Sequence, residues 1–586
     1  VPGIIFRLLL GLCLLAAPLA ARAVLLGVTV QGINGELKEN VEKQLGIVQV
    51  IKDDRIPDSH VAWLHSRAPE QIREALAPFG YYRVKVDASL EETPEGLEAT
   101  YRINPGPPVK VIVRDLVLKG PGGSDAALSS ALASFPLRKG DVLDHRKYES
   151  GKREIQRLLA ERGYFDAEMT EHAVKVDPDA LSAEIHLHFD TGPRYRLGPV
   201  QFDGAQFPAE FMQRFVQFDR GEPYDQSTLL ALQKTLLDTD YFASVNVNAV
   251  RDSAQGLEVP VRVTVSPNKR NIYSAGVGYG TDTGARVQGA VERRWVNRRG
   301  HRLRVEAQVG ERKSGVDAQY GIPVHRGNVQ QYALGASYKD EQSDTVDSRG
   351  AELSVSQVAR WRGWDRVIAL KALVERFKLR TGAQPDALKG TQNATVLYPV
   401  ARLSKTRSND PVVPTRGWEL QAYVRGGLDS LLSDTSFAQL GAGAKLILPA
   451  WGRDRILLRA DAATTWADKF ERLPPSLRYF AGGDYSVRGY DYQSLAPTND
   501  QGTVIGGKYL LVGSAEYEHM FTEHWGMALF SDAGNAFSNT RFNPEVGTGV
   551  GLRWRSPVGM VRVDVASAVT QPGNPLQLHV VIGPDL

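Results

Sequence analysis

A single cysteine, Cys13, stands in the 586 residues of this chain. It lies in an opening apolar stretch that reads as an export signal, so the exported product is expected to have no thiol to mispair in an oxidising compartment. After that stretch no run approaches the roughly 18–20 apolar residues of a membrane-spanning helix. Charge of one sign is also lacking: 70 Lys and Arg face 67 Asp and Glu, a net +3 that argues for neither nucleic acid nor an acidic partner. The 11 histidines are dispersed, and no zinc-ligand helix or nucleophile elbow occurs. No chemical catalysis, metal or cofactor is therefore expected. A mean hydropathy of −0.27 suits a soluble protein, and equally a β-barrel, whose strands turn only alternate residues to lipid.

Residues 1–23 fit a signal peptide. Arg7 supplies the basic start, Leu8 to Ala17 the apolar core, and Ala21-Arg22-Ala23 a small-x-small cleavage site. Beyond it, three segments match in order. Ala75 to Val84 (ALAPFGYYRV), Leu158 to Ala167 (LLAERGYFDA) and Leu236 to Val245 (LLDTDYFASV) each end a helical pattern in a turn followed by aromatics. A recurring period signals repeated structural units. Within the second unit, Val109 to Leu118 reads as a strand. A helix follows the cap-like Ser124-Asp125, and another spans roughly Asp144 to Arg162 with Tyr148, Ile155, Leu158 and Leu159 on one face. Two strands complete the unit. Gly163 sits where a helix needs a left-handed C-terminal residue. Turn signals at Pro105-Gly106-Pro107, Thr191-Gly192-Pro193 and Ser266-Pro267-Asn268 close the units. This β-α-α-β-β order resembles the polypeptide-transport-associated (POTRA) domain, which implies boundaries at 24–105, 106–193 and 194–266.

From about residue 267 to residue 586 the period becomes two. Leu303, Val305, Ala307 and Val309 alternate with Arg302, Arg304, Glu306 and Gln308. The same pattern recurs over Trp418 to Arg425 and Leu458 to Ala462. One face is apolar and the other carries both signs of charge. Alternation alone fits either a soluble sandwich or a membrane barrel. Segments of about ten residues, dense glycine and aromatics near strand ends favour an antiparallel barrel of about 16 strands in lipid. The fold class expected is α+β plus transmembrane β.

With repeats and barrel in place, the chain resembles the superfamily of outer-membrane barrel-assembly and two-partner-secretion transporters. In that family a long loop carrying Val/Ile-Arg-Gly-Phe/Tyr tucks into the barrel. Val487-Arg488-Gly489-Tyr490 matches it. The resemblance implies a partner strand with aromatic-x-Asp-x-Gly, which Phe530, Asp532 and Gly534 supply. Trp525, Met527 and Leu529 share an apolar face, so Phe530, Asp532 and Gly534 should point inward. There an aspartate is costly without a cation, and arginine offers a matching fork. Glu516, Glu518, Arg562 and Asp564 are expected inside as well. Gly547-x-Gly549-x-Gly551 looks like a phosphate loop, but it is strand-like with no helix after it, so nucleotide binding is rejected.

The resemblance also implies a weak join between first and last strands, a lateral seam placed here at Ile272, Gly276, Gly278, Leu578, Val580 and Gly583. The glycines there serve either a weak join or barrel curvature. A Gly-Pro-acidic-Leu ending and three repeats resemble the translocation and assembly module (TamA) branch. That branch implies an inner-membrane-anchored TamB-like partner, autotransporter and other β-barrel clients, and contact with outer-membrane lipid. A two-partner secretion pore and a part in phospholipid traffic are the competing functions.

Overall fold

The computed structural model describes residues 25–51, 56–94, 96–326, 329–380, 391–410, 413–539, 541–556 and 559–583. The expected signal peptide and the Pro584-Asp585-Leu586 ending lie outside the described residues. The chain divides into two compact units whose boundary runs through the third repeat.

The first repeat comprises β1 (Leu25–Gln31), α1 (Gly35–Gln44), α2 (Asp58–Leu76), β2 (Lys85–Thr93) and β3 (Gly96–Asn104). The second is β4 (Lys110–Lys119), α3 (Ala126–Ala133), α4 (His145–Glu161), β5 (Glu168–Asp177) and β6 (Ser182–Asp190). The third is β7 (Arg196–Asp203), α5 (Ala209–Gln213), α6 (Gln226–Asp238), β8 (Phe242–Ala249) and β9 (Glu258–Pro267). Each repeat has a three-stranded sheet with its last strand in the middle: β1-β3-β2, β4-β6-β5 and β7-β9-β8. Helix periodicity explains the packing. Val61, Leu64, Ala68, Ile72 and Ala75 form one buried stripe of α2 against Ala99, Tyr101 and Ile103 of β3.

The repeated turn has one backbone requirement: Gly80, Gly163 and Asp240 adopt φ of +86°, +83° and +59°. Aspartate tolerates this left-handed conformation better than most side chains. The third copy also uses its carboxylate, for Arg294 Nε lies 2.6 Å from Asp240 Oδ2.

Helix α4 begins at a built cap. Asp144 Oδ1 accepts from the Arg146 backbone N–H (2.9 Å), and Arg146 Nη2 donates to Asp144 Oδ2 (2.8 Å). Burial pushes the Asp144 carboxyl upward, but the Arg146 guanidinium and the helix N–H groups outweigh it and hold the group below its ordinary value. A depressed carboxyl stabilises the fold above its unfolded pKa, and that contribution is lost as pH falls through the folded value. Asp144→Ala is therefore expected to destabilise the start of α4 by about 1 kcal/mol near neutrality. The deficit should shrink below pH about 4. Amide exchange over residues 145–150 of the full chain, compared with wild type across pH, checks both statements.

Sixteen strands follow, closed into an antiparallel barrel: β10 (Asn271–Gly280), β11 (Gly284–Arg293), β12 (Arg302–Gly310), β13 (Lys313–Arg326), β14 (Val329–Gln342), β15 (Val346–Trp361), β16 (Trp364–Leu379), β17 (Gln392–Ser408), β18 (Gly417–Gly427), β19 (Phe437–Pro449), β20 (Arg455–Ala467), β21 (Tyr509–Met520), β22 (Trp525–Phe537), β23 (Glu545–Ser556), β24 (Gly559–Ala568) and β25 (Leu576–Gly583). The outward face is oily: Val277, Val287, Val309, Leu353, Leu370 and Leu529 are all exposed. Trp525 and Trp554, cross-strand partners near strand ends, stack at 5.6 Å. An apolar exterior over a charged interior is the arrangement lipid demands, and closure leaves no sheet edge bare along most of the wall. Strands β15 to β17 run 16 or 17 residues, longer than the ten or so the sequence suggested. Their ends carry charge at Arg349, Asp365 and Arg407, so the extra length suits water rather than lipid.

Candidate functional site

The connection between β20 and β21 turns inward. Val487, Arg488 and Tyr490 are buried, and Val487 and Tyr490 pack with Ala481, Val512 and Ala568. Strand β22 presents Phe530, Asp532 and Gly534 to the same interior, while Trp525, Met527 and Leu529 face out. Arg488 meets Asp532 with both arms of its fork: Nε to Oδ2 at 2.7 Å and Nη2 to Oδ1 at 3.0 Å. Its backbone N–H donates to Asp532 Oδ2 as well (3.1 Å), and Ser514 Oγ donates to Oδ1 (2.5 Å). The guanidinium carbon lies 3.4 Å from the Phe530 ring centre, a cation–π contact. Asp532 is thus fully buried yet fully provided for.

The pair belongs to a larger lattice. Arg488 Nη1 reaches Glu516 Oε2 (2.8 Å) and Asp564 Oδ2 (2.9 Å). Arg553 bonds Glu516 (2.6 Å), Glu518 (3.1 Å) and Asp564, and Arg455 bonds Glu518 (2.5 Å). Five adjacent strands, β20 to β24, each contribute a member. Buried ions of this kind hold only if each finds partners, so the loop arginine supplies a cation the wall needs.

Glycine lets the loop sit against the wall. A Cβ on Gly547 would overlap the Arg488 carbonyl oxygen, and one on Gly549 would meet the Phe530 ring. Gly547, the first glycine of the run that imitates a phosphate loop, is the floor under the docked turn. Tyr490 completes the seating, its hydroxyl donating to Glu545 Oε2 (3.0 Å) beside Thr570 Oγ1 (2.6 Å).

At the join of first and last strands, the described residues give one paired position, Gly280 with Val581. Thr281 N–H donates to the Val580 carbonyl (3.3 Å), and Val580 N–H to Thr281 Oγ1 (2.9 Å). By contrast β10 and β11 pair at ten positions. Of the six residues placed at the seam from sequence, only Val580 touches this contact. Ile272, Gly276 and Gly278 pair with β11, Leu578 pairs with β24 and faces outward, and Gly583 pairs with Met560 of β24.

A family model described as the Omp85 superfamily domain matches residues 277–585. The chain belongs to the Omp85 superfamily. Its front part matches two further models: POTRA domain TamA domain 1 over residues 27–105, and surface antigen variable number repeat over 111–192 and 195–268. This Omp85 chain is 24% identical over 362 residues to "Outer membrane protein assembly factor BamA" of Nitratidesulfovibrio vulgaris, covering 58% of the chain and 44% of that protein. It is 22% identical over 468 residues to the BamA of Neorickettsia risticii, covering 74% and 60%. The matches thus span about half the length of these relatives. Among solved structures, BamA from Haemophilus ducreyi lacking POTRA domains 1–3 superposes with a TM-score of 0.68 at 16% identity, covering 80% of this chain and 99% of that one. Three POTRA-like repeats and a closed 16-stranded barrel place it as an outer-membrane Omp85 protein with its POTRA repeats in the periplasm.

Sequence reading missed part of this Omp85 interior. Arg455 and Arg553 are wholly buried, yet each sits in a strand where charge on the inward face looked ordinary. The signal available was parity: Arg553 shares the inward face with Gly549 and Gly551, as Arg455 does with Arg459.

Proposed function

We propose that this protein assembles β-barrel clients in the outer membrane as a TamA-type translocation and assembly subunit, by opening the β10–β25 seam to a client strand. One observation carries the reading: a closed barrel whose first and last strands share a single described paired position. A strand edge in lipid leaves amide groups unsatisfied at several kcal/mol each, on the order of what drives an incoming strand to pair there. No nucleotide is needed, because client folding supplies the free energy and the seam lowers the barrier. Val487 to Tyr490, seated on Phe530 and Asp532, holds the closed state.

The TamA assignment is supported by the match of residues 27–105 to the TamA-type first POTRA model. On this reading residues 1–23 are the signal peptide, 24–105, 106–193 and 194–266 the three POTRA domains, and 267–586 the barrel. The outer strands β2, β5 and β8 of the repeat sheets offer edges for extended client segments by β-augmentation. The first repeat is the docking point for a TamB-like, inner-membrane-anchored partner, and autotransporters are the leading clients.

Liposomes of outer-membrane lipid, with and without the purified protein, test this. A urea-unfolded autotransporter barrel is expected to become heat-modifiable and protease-resistant several-fold faster with the protein present. Equal rates would overturn the reading. Transfer of a fluorescent phospholipid in the same vesicles, without client folding, would favour lipid traffic instead.

A further inference from the structure

The seam has so little direct pairing that something else must hold its two sides together, and the docked loop reaches both. Asp282 lies in the turn just after β10, Asp484 precedes the Val487–Tyr490 turn, and His579 is on β25. All three are buried. The backbone N–H of Asp484 donates to Asp282 Oδ2, and Asp282 N–H donates back to Asp484 Oδ2 (3.4 Å). His579 Nδ1 lies 2.7 Å from Asp484 Oδ1. Gly489 N–H, inside the motif, donates to His579 Nε2 (2.9 Å). A continuous path therefore runs from β10's turn through the loop to the last strand and back to the loop.

Those hydrogen bonds fix the state of the imidazole. A backbone N–H can only donate, so Nε2 must offer its lone pair to Gly489. The ring proton then sits on Nδ1, pointed at the Asp484 carboxylate. The ligand atoms of Asp282, Asp484 and His579 lie within 4.8 Å of one another, the spacing of a cation site. A cation would need a free nitrogen lone pair on His579. Nε2 already accepts and Nδ1 carries the proton, so the geometry favours a relay of hydrogen bonds over a metal.

We propose that His579 is a positioning residue that links seating of the lumen loop to closure of the seam, β25 being held to the turn after β10 through Asp484 and Asp282. Release of the loop then frees the last strand, and a strand drawn away from β10 pulls on the Gly489 amide. The proposal rests on the seam reading above and adds to it the element that senses the loop.

Variants of His579 separate this role from packing. Phenylalanine preserves ring size and removes both hydrogen bonds. Asparagine keeps a donor near Nδ1, and glutamine keeps an acceptor near Nε2. The readout is amide exchange in the purified full-length protein in nanodiscs, without client, over residues 271–282, 482–490 and 576–583. His579→Phe is expected to speed exchange in all three segments by about tenfold, with His579→Asn and His579→Gln in between. Strands β14 to β17 should keep wild-type protection, showing that the barrel is folded. If His579→Phe leaves the three segments protected while the polar variants loosen them, ring packing is the role and the proposal falls. Loosening of the loop alone, with residues 576–583 unchanged, also overturns it. None of these readings depends on client insertion, so they stand apart from the test of the function itself.

Discussion

Arg488→Ala is expected to cost the folded barrel about 3–5 kcal/mol, the usual loss when one member of a buried ion pair is removed. The lattice explains the size. Arg488, Arg553 and Arg455 interlock with Asp532, Glu516, Asp564 and Glu518, so removing one cation leaves several buried carboxylates short of a partner. Among the described residues, removing Arg488 leaves Asp532, with no exposure to water, hydrogen-bonded by the backbone N–H of residue 488 and the Ser514 hydroxyl. The buried carboxylate then lacks its matched cation, and the loop loses its anchor on β22. Arg488→Lys keeps a charge but loses the fork and should recover only part of the loss. Asp532→Ala should cost less than Arg488→Ala, because Arg488 retains Glu516 and Asp564. The double variant should fall well short of the sum of the singles, since the two side chains share one interaction. Urea midpoints of the heat-modifiable band measure all four, and conductance in planar bilayers should rise as the loop loosens. A wild-type midpoint for Arg488→Ala, or strictly additive losses, would remove the pairing from any structural role.

How much of this was readable before the fold was known depends on range along the chain. The alternation of Trp525, Met527 and Leu529 with Phe530, Asp532 and Gly534 assigns faces with no tertiary information, because strand geometry fixes them. The repeats were legible for the same reason: the left-handed turn at Gly163 and the cap at Asp125 are local chemistry. The seam was not legible at residue level. Which residue of β10 opposes which of β25 depends on the stagger accumulated around sixteen strands, and the contact falls at Gly280 rather than at Ile272, Gly276 or Gly278. His579 escaped notice too, since a lone histidine in a last strand gains meaning only when a loop some ninety residues earlier in sequence is brought against it. Gly547 was visible as a glycine but not as a floor, for its reason is the Arg488 carbonyl above it.

Locking the seam should abolish client assembly while leaving the barrel intact. Gly280→Cys with Val581→Cys places two thiols at the one described paired position of β10 and β25. Opposed residues of an antiparallel pair have Cα atoms about 4.5–5.5 Å apart, within the span a disulfide bridges. Around residue 280 the nearest atoms to a new Cβ are the Thr283 hydroxyl, at the end of a side chain that can turn, and Asp484 Oδ2 at 3.3 Å. Oxidation is expected to bring the rate of client folding in the liposome assay down to that of protein-free vesicles, and reduction to restore it. A second pair supplies the control: Val316→Cys with Tyr338→Cys, opposed across β13 and β14 and far in sequence from the join, should be neutral when oxidised. The contrast decides between two ways of helping a client. A protein that only gathers unfolded chains on its repeats, or thins the bilayer beside it, has no use for an open join and would work equally well with either disulfide. One that lends its own edge to an incoming strand cannot work once that edge is tied, because every amide the client would satisfy is then beyond reach.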